Sequence, residues 1–195
     1  MEENKKTIDV TALGELLVDF TMNGQSEQGN PLFEACPGGA PCNVLAFLQK
    51  MEKKTEFIGK EGNDQFGKML KETIEEAGIH ASNLIFDNQV NTTLAFVHTF
   101  KNGDRDFSFY RNPGADMMLT AAEVNEETIK QSKIFHFGTL SMTAEGVREA
   151  TKKAVKTAKE NGCLISFDPN LRPPFRRRVR RRHRRILLHR QARHR

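Results

Sequence analysis

Apolar positions along the chain fall into short runs whose spacing alternates between strand-like and helix-like. Residues 8–20 are nearly continuous in apolar side chains and lead into a polar stretch holding Gly24 and Gly29. That pattern predicts one buried strand opening the domain, with Asp19 near its C-terminal end. Behind Pro37-Gly38-Gly39-Ala40-Pro41, the residues Val44, Leu45, Phe47, Leu48 and Met51 recur at helical spacing, so two glycines precede a helix N-terminus. Residues 55–58 read as a short strand. Asn63 or Asp64 caps a second helix with Phe66, Met69, Leu70, Ile74 and Ala77 on one face and Gly78 just past its end.

Residues 92–100 and 105–110 are β-rich and joined by Lys101-Asn102-Gly103-Asp104, a hairpin signal that predicts an excursion from the main sheet. Thr120-Ala121-Ala122-Glu123 is a capping box expected to open a short helix. Residues 133–138 predict a strand, 143–161 a helix closed by Gly162, and 163–167 a further buried strand. Strands alternating with helices imply a parallel sheet covered on both faces. Ligands of such sheets bind beyond the carboxyl ends of the strands, where Asp19, Gly38-Gly39, Gly138 and Asp168 are expected.

Composition adds a core-forming 37% of apolar residues in 195, enough for one domain. The net charge of +5 points to an anionic partner only until its distribution is considered. Through Pro174 the chain carries 15 Lys and 4 Arg against 25 acidic residues, a net −6, whereas residues 175–195 hold 11 Arg and no acid. Basicity therefore belongs to the tail and not to the folded part. Cys36, Cys42 and Cys163 are too few and too scattered for a disulfide framework or a usual metal-ligand set, so no metal site is expected and a reducing cytoplasm fits. The polar N-terminus and the charges Asp9, Glu15 and Asp19 interrupt any signal-peptide core or membrane span.

Gly38-Gly39 before a helix lets a ligand approach backbone N–H groups closely, and Asn43 in the first turn can both donate to and accept from it. These readings compete with plainer ones. The glycines also suit a tight turn, Asp19 a strand-end cap, and Asn43 an ordinary helix N-terminus. His136 on its apolar strand reads as a satisfied core histidine.

Gly38-Gly39-Ala40-Pro41-x-Asn43, followed by Phe57-Ile58-Gly59-Lys60-x-Gly62-x-Asp64-x-Phe66-Gly67, resembles the first signature of the PfkB/ribokinase family of carbohydrate kinases. Three further motifs resemble the bacterial fructokinase branch of that family: Gly14-Glu15-Leu16-Leu17-Val18-Asp19, Phe109-Tyr110-Arg111-Asn112-Pro113-Gly114-Ala115-Asp116 and Asp168-Pro169-Asn170-Leu171-Arg172-Pro173. Leu45 and Glu52 depart mildly from the pattern, standing where a small residue and a glycine are usual.

The resemblance implies an α/β, ribokinase-like fold of three layers, with a mainly parallel, Rossmann-like sheet and a small β lid at about 21–34 and 92–112. Residues 1–174 would form the N-terminal portion of the kinase domain, incomplete on its C-terminal side. The implied reaction uses ATP and Mg2+ to phosphorylate the 6-hydroxyl of fructose, with ribose or 2-keto-3-deoxygluconate as alternative substrates and a homodimer in the intact member. By the same resemblance Asp19, Gly38, Gly39 and Asn43 hold sugar hydroxyls, Arg111 meets the sugar or its incoming phosphate, and Asn170 and Arg172 lie near the nucleotide phosphates. Arg111 and Arg172 also suit solvent-facing positions.

Family catalysis relies on a second signature, Asp-Thr-x-Gly-Ala-Gly-Asp, whose last Asp is the general base, and on an Asn-x-x-Glu associated with magnesium. The sequence has no such run. The expectation is a truncated form with no catalytic residue that does not turn over alone, the competing class being a non-catalytic sugar-binding remnant. For the tail at 175–195, the abrupt change from Lys to Arg favours out-of-frame translation after Pro174; a solvated, disordered tail and a nucleic-acid-binding arm are the alternatives. The arm lacks aromatic interleaving, a helix-turn-helix or zinc spacing, so nucleic acid is not the expected partner.

Overall fold

The computed structural model describes residues 6–99 and 105–170. Strand β1 (Ile8–Leu13) leads into β2 (Leu17–Gln25) and β3 (Pro31–Gly38), then helix α1 (Ala40–Gln49), β4 (Thr55–Gly62), α2 (Gln65–Glu76) and β5 (His80–Asp87). The hairpin β6 (Leu94–Thr99) and β7 (Arg105–Tyr110) follows. After it come α3 (Glu126–Lys130), β8 (Ser132–Gly138), α4 (Glu145–Glu160) and β9 (Leu164–Asp168).

These strands make two sheets among the described residues. The main sheet has the order β5-β4-β1-β8-β9 and is parallel throughout. A second sheet, β3-β2-β6-β7, is mixed: β2 runs parallel to β6, while β3 and β7 flank them antiparallel.

Strand β1 is buried on both faces, as a central parallel strand must be. Val10 and Ala12 pack with Phe57, Leu45 of α1, and Leu70 and Ile74 of α2. On the opposite face Leu13 packs with Ile58, Phe135, Ile129 of α3, and Val147, Ala150, Ala154 and Ala158 of α4. The small residues of α4 let that helix lie close to the sheet. Fully buried rings such as Phe57 and Phe135 each contribute roughly 1.5–3 kcal/mol by leaving water.

Four sequence expectations need correction. The run at 8–20 is two strands in different sheets, because Gly14-Glu15-Leu16 breaks it; Asp19 sits inside the lid strand β2, not at the end of a core strand. The lid sheet accordingly begins at Leu17 and extends to Gly38. The capping box at Thr120 is present, but it closes a single 3-10 turn at Ala121–Glu123, and α3 starts afresh with Asn125 as its cap. Strand β9 is an edge with Leu164 and Phe167 exposed, not a buried strand. The sequence reading also passed over β5, whose apolar residues are broken by His80, Ser82 and Asn83.

Other details follow the sequence closely. Asp64 caps α2 by accepting the Gly67 N–H at 2.9 Å, and Gly78 takes the positive φ that ends it. Strands β6 and β7 pair antiparallel; the turn at 101–104 between them lies outside the described residues, as does the tail at 175–195. No helix among the described residues is long and apolar enough to cross a membrane.

Candidate functional site

The carboxyl ends of β1, β4, β5, β8 and β9 all lie along one edge of the parallel sheet, and the lid is attached at that edge. Four segments connect it to the core: 14–16 after β1, Gly39 before α1, 88–93 after β5, and 111–114 after β7. Ligands of such sheets bind at this edge.

At the first two connections the backbone comes together tightly. A methyl group on Gly38 would collide with Oδ2 of Asp19, and one on Gly39 would collide with the carbonyl oxygen of Glu15. Gly39 also has φ 120°, a conformation L side chains rarely adopt, and it is the N-cap of α1. Its carbonyl accepts the N–H of Asn43 at 3.0 Å. Asp19 thus lies against Gly38, and Asn43 is tied to Gly39 through the backbone; Asp19 is half-buried in the lid strand β2 and Asn43 exposed in the first turn of α1.

Arg111 is placed differently. Its Nε donates to both carboxylate oxygens of Asp116, at 2.8 and 3.1 Å, its Nη1 to Thr143 Oγ1 at 2.9 Å, and its Nη2 to the Leu140 carbonyl at 3.2 Å. Thr93 Oγ1 donates to the same Asp116 at 2.6 Å. The guanidinium therefore ties two lid connections to the loop after β8 and is nearly closed to solvent.

Asn170 stands just past β9, two strands from β1 along the same edge, and its N–H donates to Asp168 Oδ1 at 2.9 Å. Arg172 lies outside the described residues. His136 is half satisfied: one ring nitrogen meets Ser166 Oγ at 2.9 Å, the other has no partner among the described residues, and burial pushes its pKa below the ordinary value despite Asp168 nearby.

Sequence reasoning missed two buried carboxylates here. Burial lifts Glu15 from its ordinary 4.5 to about 7; the N–H of Ala40 and the charge of Arg111 oppose the shift, and Asp116 adds to it. Glu61, on β4, is fully buried, and neither of its oxygens forms a hydrogen bond among the described residues. Desolvation raises it well above the usual carboxylate range, reinforced by Asp116 and Asp64; the Thr92 hydroxyl and the Leu16 N–H oppose this without forming well-aligned bonds. Both glutamates in turn raise the buried Cys42 thiol, whose main perturbation is its own burial. Spacing could not flag these residues: Glu15 sits in an apolar run that reads as core, and Glu61 among Lys60, Gly62, Asn63 and Asp64 reads as part of a polar, exposed turn.

Among the described residues no group of three or more His, Cys, Asp or Glu side chains is disposed to hold a metal ion. The carboxylates along the edge are engaged internally: Asp64 with Gly67 and Thr92, Asp87 and Glu123 with Lys60, Asp116 with Arg111. The described residues alone do not fit a magnesium–nucleotide site.

A three-layer α/β domain with a small β lid attached at the carboxyl edge, and Asp19 of that lid packed on the glycines that precede α1, is the lidded α/β arrangement of the sugar-kinase class. Comparison with known proteins agrees: the model of the pfkB family carbohydrate kinases matches residues 7–189, and the chain belongs to that family. It is 45% identical over 168 residues to fructokinase-2 of Solanum lycopersicum, covering 85% of this chain and 51% of that protein. Fructokinase-1 of Zea mays is 45% identical over 165 residues, with 84% and 51% covered. The structure of a fructokinase with bound ATP from Xylella fastidiosa superposes with a TM-score of 0.79 at 34% identity, covering 87% of this chain and 53% of that one. The chain spans about half the length of the curated relatives it matches. The fold is thus ribokinase-like, as the motifs implied.

Proposed function

We propose that residues 1–174 are the sugar-binding, N-terminal portion of an ATP-dependent fructokinase whose complete form transfers the γ-phosphate of ATP to the 6-hydroxyl of fructose. The observation that carries this is the contact of the Asp19 carboxylate with Gly38 at the start of α1. A carboxylate there can accept bonds from two neighbouring hydroxyls, the absent side chains let Asp19 and the start of α1 come together, and the Asn43 amide can donate and accept in the first turn of that helix.

In this reading Asp19, Gly38, Gly39 and Asn43 bind the sugar. Arg111 acts through Asp116 by holding the base of the lid, and Asn170 and Arg172 are assigned to the nucleotide phosphates. ATP and Mg2+ would supply the phosphoryl group and neutralise its charge, as the family's chemistry requires; the groups that hold them belong to the half of the relatives this chain does not span. Assignment to the bacterial branch rests on the wording of the motifs at 14–19, 109–116 and 168–173. The tail at 175–195 is read as foreign to the kinase, and the chain alone as a sugar binder without turnover.

Titration calorimetry of the chain with fructose, ribose and 2-keto-3-deoxygluconate tests the site: fructose binds and Asp19→Ala abolishes it. Binding of none of the three would sink the proposal. A coupled assay of ADP formation from ATP and fructose tests the rest, with turnover near that of an intact kinase refuting the truncated reading. Salt-sensitive binding of DNA, lost when 175–195 are deleted, would instead favour the basic arm.

A further inference from the structure

Helix α1 begins without a cap of its own. Gly39 has no side chain, no side chain within the helix serves its N-terminus, and Pro41 contributes no N–H. The Ala40 N–H donates instead to Oε1 of Glu15 at 3.1 Å, from the segment that joins β1 of the core to β2 of the lid. The same two segments are closely packed: a methyl on Gly14 would meet the Pro41 ring at Cγ, 2.5 Å away, and one on Gly39 would strike the Glu15 carbonyl. Four residues after Glu15 comes Asp19; three after Ala40 comes Asn43.

Glu15 is a poor choice on grounds of stability. It is buried, and its second oxygen, Oε2, has no hydrogen-bond partner among the described residues. An unsatisfied buried carboxylate costs folding energy that a side chain of similar volume without charge would avoid. What it supplies is placement: a fixed acceptor that holds the start of α1 against the lid hinge.

We infer that Glu15 is a positioning residue of the sugar site, its carboxylate clamping the Gly39-Ala40 turn to the β1–β2 junction so that Asn43 on α1 stays in register with Asp19 on β2. The inference rests on the reading of those two residues as sugar ligands. Glu15 itself touches no sugar; it acts through the backbone it holds.

The test uses the full chain, 15N-labelled, as wild type, Glu15→Gln and Glu15→Leu, titrated with fructose by NMR and melted in parallel. Gln keeps an oxygen for the Ala40 N–H, whereas Leu keeps the bulk and removes the acceptor. Glu15→Leu is expected to melt no lower than wild type, to shift the Ala40 and Asn43 amide resonances, and to lose at least about tenfold in fructose affinity through misplacement. Glu15→Gln is expected to stay within about threefold of wild type, since its hydrogen bond is retained. The inference is overturned if Glu15→Leu binds like wild type, if it melts lower, or if Glu15→Gln loses as much as Leu. Should the wild-type chain bind no fructose, the sugar-site reading itself fails, and the Ala40 and Asn43 resonances alone decide whether Glu15 fixes the helix start.

Discussion

Arg111 and Asp116 face each other at the base of the lid, nearly sealed from water, with side-chain exposures of 9% and 2%. Thr93 completes the carboxylate's hydrogen bonding from the neighbouring lid connection. Breaking such a pair from one side leaves a buried charge without compensation.

Asp116→Ala or Arg111→Ala is therefore expected to lower unfolding stability by about 3–5 kcal/mol, measured by urea denaturation. Replacing both with apolar residues of similar volume should recover much of that loss. Single variants within about 1 kcal/mol of wild type would show the pair to be worth no more than a surface ion pair.

Gly38 and Gly39 should separate binding from folding. In Gly38→Ala the new methyl meets the side chains of Asp19 and Leu17, not backbone, so fructose affinity falls while stability drops less than in Gly39→Ala. In Gly39→Ala the methyl meets fixed backbone at φ 120°, and stability drops by about 1–3 kcal/mol. Equal stability losses in both would remove the distinction.

The sequence shows why one of these contacts was legible and the other not. Gly38-Gly39 before a helical apolar pattern announces a close approach, and the helices α1, α2 and α4 follow their periodicity to within a few residues. The break at Gly14-Glu15-Leu16 could not be read, because residues 11–18 are all buried whichever sheet they belong to, so apolar continuity hides the passage from core to lid. Strand β3 is largely exposed and carries Pro31 and Pro37, both poor strand signals. The Arg111 side chain turns inward for a partner that only tertiary packing identifies as buried.

Glu61 offers a gain in stability. Its carboxyl is fully buried with no hydrogen bond among the described residues, so Glu61→Leu is expected to raise unfolding stability by about 1–3 kcal/mol. Calorimetric melting of both proteins decides the matter; a lower midpoint for the leucine variant would reveal a partner that the carboxyl needs.

Acidity should act on the fold in opposite directions through Glu15 and Asp64. Because Glu15 is lifted from 4.5 to about 7, the folded chain holds its proton more tightly than the unfolded chain does. Stability is then greatest with respect to this group below pH 4.5 and declines as pH rises to 7, by roughly 3 kcal/mol for a shift of this size. Asp64 works oppositely: burial alone would raise it, but hydrogen bonds from Gly67 and Thr92 hold it below the ordinary 3.8, so its contribution is lost as pH falls through its folded value. Denaturation curves between these limits should show stability falling with pH in wild type and a flatter profile in Glu15→Gln. An unchanged slope in the variant would assign the effect elsewhere.

At the other flank, β9 presents Leu164 and Phe167 to solvent beside an open sheet edge among the described residues. Unpaired apolar edges promote association. Leu164→Lys should reduce self-association in light scattering, and a wild-type chain that stays monomeric at high concentration would contradict this.

The position of β1 has a kinetic consequence. It is the first strand among the described residues and the middle strand of the main sheet, laid against β4 on one side and β8 on the other, with Ile8 opposite Ser132. A chain emerging from the ribosome can dock β4, α1 and α2 on β1 early, yet the far side of β1 waits until β8, at Ser132–Gly138, has been made. Such distant parallel pairing slows folding and prolongs exposure of an apolar strand. The strand made before the other described strands of the main sheet is thus among the last of them to be fully enclosed, so the strand at the centre of the finished sheet keeps one apolar face open through most of their synthesis.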